Sequence, residues 1–419
     1  MTAAALLLLT CAVMLLPMLP ALIEWRWPTD VVPLHIDGQD ALDPPFLARS
    51  FHQQLLEALS QGKSRLGRSL IARVSGLGDM RLSERELARG RSRRVWIAPR
   101  DLTLPAGITY LGEVSADGHL RTSPGAVCRG LRAGGRLVLD ERSTVLRWAH
   151  ATQVEVHSAC DLAGRISADE RIHLLGPANF MLLHAPVLSF GNDPGQADDD
   201  MPWVPTPHLR TAWGSSAALT AQQRGQRPGG LPAPVAWNEV ARRGTSAVAL
   251  QVAGGSHWLG DLVCHDDCTL GLRCHASGSL KVHGDLVLGA GSRVAGSLVA
   301  SGRIELGMGC VVLGSVMSET EVVLGSGCVI GAPGILATVS APIVRVAPDV
   351  LVHGTLWASE SGRTQSMDAW LDEPERLDAA FVERRAGPST DGAEPWPDAW
   401  TEPWADPWAD PRQPPGARW

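Results

Sequence analysis

Gly260, Gly278, Gly296 and Gly314 stand 18 residues apart, and each opens a block that reads like the next. The blocks are GDLVCHDDCTLGLRCHAS, GSLKVHGDLVLGAGSRVA, GSLVASGRIELGMGCVVL and GSVMSETEVVLGSGCVIG. Their eleventh column is Leu270, Leu288, Leu306 and Leu324, and their ninth is Cys268, Leu286, Ile304 and Val322. A glycine follows the leucine column each time, at Gly271, Gly289, Gly307 and Gly325. Within a block, apolar positions alternate with polar or small ones, which is strand periodicity punctuated by glycine turns. Strands this short cannot bury a core alone. They can if the chain winds into coils and equivalent residues stack from one coil to the next. The repeat therefore predicts an all-β fold, a β-solenoid of three short strands per coil. The leucine and ninth columns, Leu286, Ile304 and Val322 among them, are expected in its core, and the four glycines at its tight corners.

The same signature occurs earlier. Leu102, Leu120, Leu137, Val154 and Ile172 are spaced 18, 17, 17 and 18. A second series runs Leu250, Cys268, Leu286, Ile304 and Val322, then Ile343 after a longer step. These anchors predict about eleven coils of 17–18 residues in two runs, 95–190 and 245–357. Residues 191–244 interrupt them with acidic, Pro-rich and Gly/Pro-rich stretches, and read as an insertion loop or linker.

The ends of the chain differ from its body. Residues 2–23 contain no charged side chain, and Trp25 and Trp27 follow, so 1–27 reads as a transmembrane anchor. A cleaved signal peptide would want a basic start and a small-residue cleavage site, and neither is present. The sparse basic residues that follow lean towards a cytoplasmic body on a single-pass protein. Residues 28–94 read as a membrane-proximal stalk and connector, with a helical stripe at Phe46, Leu47, Phe51, Leu55, Leu56 and Leu59. Residues 358–419 leave the pattern: Trp396, Trp400, Trp404 and Trp408 recur among prolines and acids, which predicts a disordered tail. The Trp repeat at 396–408 is a candidate docking motif for a protein partner.

Little in the chain points to chemistry. The net charge of −7 argues against a general nucleic-acid binder, and eight cysteines are too few for a disulfide scaffold. Cys264, His265, Asp266, Asp267 and Cys268, with Cys274 and His275 following, form the one metal-like cluster. Its cysteines fall in columns filled elsewhere by Val282, Leu286 and Cys310, so we read them as small core residues. His265 and His283 share a column and are expected to stack on the outer surface. No nucleotide, metalloprotease or hydrolase motif occurs. We expect no catalytic residue, no cofactor and no metal.

The run Leu288-Gly289-Ala290-Gly291-Ser292-Arg293-Val294-Ala295-Gly296-Ser297-Leu298, with its repeats at 306–316 and 324–330, resembles bactofilins, the polymer-forming bacterial cytoskeletal family. The resemblance covers 245–357 well and 95–190 more loosely. It implies a triangular β-helix and nucleotide-independent, end-to-end assembly into membrane-associated filaments that scaffold other proteins. A solenoid exposes unpaired strand edges at its ends, which suits such assembly. The anchor and the split solenoid depart from a compact bactofilin, and fit a protein that caps or recruits. The alternative is a hexapeptide-repeat acyltransferase. The chain also shows a period of six at Val282, Leu288, Val294, Ala300, Leu306, Val312, Ser318, Leu324 and Ile330. Such enzymes look similar and need a catalytic histidine, for which His257, His265, His275, His283 and His353 are the candidates.

Overall fold

The computed structural model describes residues 43–74, 80–191, 231–232 and 234–365, with 14, 16–19 and 26 as isolated positions. The described chain is mostly β, a solenoid of about 13 coils, with two α-helices, Phe46–Ser60 and Glu84–Arg89.

Each coil pairs in parallel with the next. On one side Leu262, Leu280, Leu298 and Val316 align. On the second, Leu270, Leu288, Leu306 and Leu324 align beside Cys268, Leu286, Ile304 and Val322. On the third, Ala276, Val294, Val312 and Ile330 align. The 18-residue sequence period is thus the hydrogen-bond register. Alternate side chains point inward, and all nine positions of the six-residue pattern are buried. Burying each leucine from water contributes about 2 kcal/mol, which gives every coil an equal share in one continuous core.

The first run stacks through Leu102, Leu120, Leu137, Val154, Ile172 and Leu188. Its 17-residue steps are absorbed by local register shifts, such as the one between Tyr110 and Glu113. The ladder starts earlier than the periodicity suggested. Strand Ser69–Arg73 pairs with Val95–Ala98, so the first coil falls inside the segment read as a stalk. The helix Phe46–Ser60 lies against the outer face of this run. Phe51 and Leu55 are buried with Val95 and Trp148, and the Phe51 and Trp148 ring centroids are 5.4 Å apart. Leu56 faces away and is exposed.

In the second run, Val344 and not Ile343 pairs with Val322. A turn closed by pairing of Ala332 with Ile335 adds residues to one corner, so counting onward from Val322 lands one position short. The strand Leu351–Thr364 carries the solenoid beyond residue 357, into what reads as tail. Ala358 is fully buried there, with Ala341 beside it in the ladder. Residues 192–230 of the insertion, 366–419 with the Trp repeat, and nearly all of the apolar segment 2–23 lie outside the described residues. Among the described residues, no helix is long and apolar enough to cross a membrane.

Candidate assembly interface

The two runs meet last coil to last coil. Strand Ala178–Phe190 pairs with strand Leu351–Thr364 on all three sides: Asn179 with Arg363, Leu183 with Leu356, and Leu188 with Val352. This pairing is antiparallel. Every other coil-to-coil pairing is parallel, apart from the hairpins that close the two outer ends. Two parallel-stacked solenoids joined at their last coils must present strands of opposite direction, so the antiparallel ladder follows from the topology. The junction pairs the strand edges that each last coil would otherwise expose. It also makes the core continuous, since Phe180, Leu183, Leu188, Val352 and Leu356 are all buried.

Side chains reinforce the ladder. The His184 Nδ1 lies 2.8 Å from the Thr355 hydroxyl. His353 is buried and its Nδ1 lies 3.0 Å from the Pro186 carbonyl oxygen. That oxygen can only accept, so the Nδ1 carries the proton and donates. The Thr364 hydroxyl accepts from the Ala178 amide at 2.7 Å and donates to the Gly176 carbonyl at 3.0 Å. Burial lowers the pKa of both His184 and His353. At Gly362, an added Cβ would overlap the Phe180 ring, so glycine permits this approach.

The outer ends are first coils, at Ile71 in one run and Gly244 in the other. Val74, with partly buried Met80 and Leu82, closes the core at the first. Leu231 and Val235, with Trp237 packed beside them, close it at the second. Terminal repeats that cover the core in this way keep a solenoid soluble.

The residues singled out from sequence line the body of the stack. Leu270, Leu288, Leu306, Leu324, Leu286, Ile304 and Val322 are each 0 % exposed. Gly271, Gly289, Gly307 and Gly325 follow the strands of the second side. A Cβ on Gly289 would lie 2.5 Å from the Gly271 backbone of the previous coil, so close stacking demands glycine here. The left-handed turn residues lie two positions further on, at Arg273, Gly291, Gly309 and Gly327. Cys274, Cys310 and Cys328 are buried, and their thiols donate to Ala253, Gly289 and Gly307 carbonyls at 3.3, 3.3 and 3.1 Å. Ser292 donates to Gly271 in the same way at 3.2 Å. That shared bond accounts for the interchange of Cys and Ser in one column. Burial pushes the Cys268 thiol up to about 12. Among the described residues, no group of three or more His, Cys, Asp or Glu side chains is placed to hold a metal ion.

His265 and His283 stack on the outer surface, with ring centroids 5.0 Å apart and planes 18° apart. His257 pairs with His275 one coil on, and both are exposed. The histidines that join the two runs, His184 and His353, share no column, and nothing in the periodicity brings them together. The one sequence hint is that inward alternation continues past 357 through Ala358, Gly362 and Thr364. No protein-family model, no curated protein and no solved structure matches this chain.

Proposed function

We propose that this chain is a membrane-anchored structural scaffold similar to the bactofilins. Residues 2–23 hold it in the bacterial inner membrane with the solenoid on the cytoplasmic side. Further copies join through coil ends, and the Trp repeat at 396–408 recruits other proteins. In this reading the protein is not an enzyme and uses no cofactor. The observation that supports it is the junction: within one chain, two solenoid blocks are held end to end by backbone pairing on three sides. Assembly of chains would repeat that contact at the first-coil ends, where the hairpin strands Arg65–Leu66 and Ala236–Asn238 present the outermost edges.

The acyltransferase reading draws less support. His353 is committed to a backbone carbonyl inside the junction. His257, His265, His275 and His283 have no ion pair with a carboxylate among the described residues.

Negative-stain electron microscopy of the full chain in detergent, without nucleotide, tests the proposal. Thin unbranched filaments, or particles joined end to end and increasing with concentration, are expected. Single particles at every concentration would overturn self-association. Acyl transfer abolished by one His→Ala substitution would overturn the scaffold reading.

A further inference from the structure

Between Lys63 and Arg94 the sequence holds ten Lys and Arg against three Asp and Glu, a local charge of +7 in a chain whose net charge is −7. Folding gathers this segment at one place, the outer end of the first run. Strand Ser69–Arg73 is the outermost rung of the ladder, strand Arg91–Ser92 belongs to the same coil, and the helix Glu84–Arg89 lies between them in sequence. Lys63, Arg65, Arg68, Arg73, Arg81 and Arg85 are all exposed, as are Arg89, Arg91 and Arg93. Two large apolar side chains, Leu70 at 45 % and Leu87 at 57 % exposure, stand among them.

A cavity of about 300 Å³ opens at this end, lined by Arg73, Arg81, Arg94, Ser64, Ala72 and Trp96. Its floor is built. The Trp96 indole donates to Ser92 at 2.9 Å, and Ser92 donates to Glu86 at 2.7 Å. Glu86 also accepts from the Ser83 amide at 2.9 Å and the Ser83 hydroxyl at 2.7 Å. Arg94 lies 3.4 Å from Glu86 and 5.8 Å from the Trp96 ring centroid. The acid nearest the cavity is therefore engaged with its own coil. Arg73 and Arg81 have no ion pair among the described residues.

We propose that this basic coil end, in a chain with no further copy paired to it, docks on an anionic phospholipid surface, with a lipid phosphate seated between Arg73, Arg81 and Arg94. Exposed arginines interspersed with exposed leucines match the boundary between headgroups and acyl chains. The chain reaches the surface readily. The helix packed on the first run starts at Phe46, and the 22 residues 24–45 between it and the apolar segment could span at most about 70 Å. The inference rests in part on the membrane anchor of the proposed function, and the test separates the two.

Full-length protein is mixed with phosphatidylcholine vesicles or with vesicles containing about 30 mol % phosphatidylglycerol. Flotation reports the anchor, and the rate of trypsin cleavage after Arg85 and Arg89 reports the docked end. Cleavage is expected to slow about tenfold or more on the anionic vesicles only, and to recover in about 0.5 M salt. The R73Q/R81Q variant, which leaves the Arg94–Glu86–Ser92–Trp96 contacts in place, is expected to lose most of that protection. Flotation on both vesicles with equal cleavage rates would overturn the inference and leave the anchor standing. Flotation on anionic vesicles alone, with protection, would support the inference and remove the anchor. Equal protection by duplex DNA, or protection without vesicles that disappears when residues 391–410 are deleted, would overturn it in favour of a nucleic acid or the acidic tail.

Discussion

The imidazole Nδ1 of His353 lies 3.0 Å from the carbonyl oxygen of Pro186 and ties the last coil of the second run to the last coil of the first. The bond needs a proton on Nδ1, which leaves Nε2 to take a second one, and burial of the residue at 2 % exposure opposes the charge that this would create.

The junction is therefore expected to loosen in acid. Burial holds the His353 and His184 pKa below their ordinary 6.5. A separated junction binds more protons than a closed one below that value, so stability falls as pH drops through 6.5 and is fully present above about pH 7.5. Hydrogen exchange of peptides covering 180–190 and 351–364, corrected for intrinsic rate, should rise between pH 7.5 and 5 while the 280–324 coils stay protected. His353→Asn, which keeps a donor, should flatten the response.

Gly362→Val should open the same interface from the other side. The new side chain would fall on the Phe180 ring, and overpacking of this kind typically costs about 1–3 kcal/mol. Calorimetry should show a lower-melting transition confined to the last coils. An unchanged melt would mean that the Phe180 contact does not hold the runs together.

Core truncation should be costly and surface truncation should not. Leu306→Ala removes a fully buried side chain that touches the coils on both sides, and is expected to lose about 2–5 kcal/mol. Met317→Ala, on the outward side of the next coil at 42 % exposure, is expected within about 0.5 kcal/mol of the parent. Denaturant midpoints compare the two directly.

The insertion has a length requirement. The second run runs back towards the first through rungs at Gly244, Leu262, Leu280, Leu298, Val316, Val339 and Leu356. A chain leaving Gly191 at the junction must cross that stack, about 30 Å at the usual strand spacing, to start again at the outer end. About ten extended residues are the minimum. Removing half of residues 192–230 should leave the melting temperature nearly unchanged. Cutting them below about ten should separate the runs and expose the last-coil edges to aggregation.

The described cysteines should resist labelling. Burial pushes Cys128 and Cys268 up to about 12 and Cys160 up to about 11. All seven described cysteines are buried. Ellman's reagent at pH 7.5 should find none of the seven until denaturant is added.

The coil was legible because its pairing is local and periodic. Leu288 meets Leu306 because 18 residues close one turn, and the same count recurs at every rung. A repeat of apolar columns with glycine after each leucine therefore specifies which residues stack and which side faces the core. The helix Phe46–Ser60 was legible for the same reason, through its own period. Counting failed where the chain adds residues at a corner, as between Val322 and Val344. It also stopped short at the first coil, because a single turn at Ile71 has too little sequence to show a period.

The sequence by itself determined a stacked β-coil with leucine columns inside, because in-register stacking binds each residue to one a fixed step away. Only the tertiary structure decided that the two runs join last coil to last coil. Leu183 and Leu356, or His353 and Pro186, are brought together across reversed strands, and no repeat length relates them. The same step gathered the arginines of 63–94 at one coil end, since which side chains share a surface depends on where the ladder begins and not on their order in the chain.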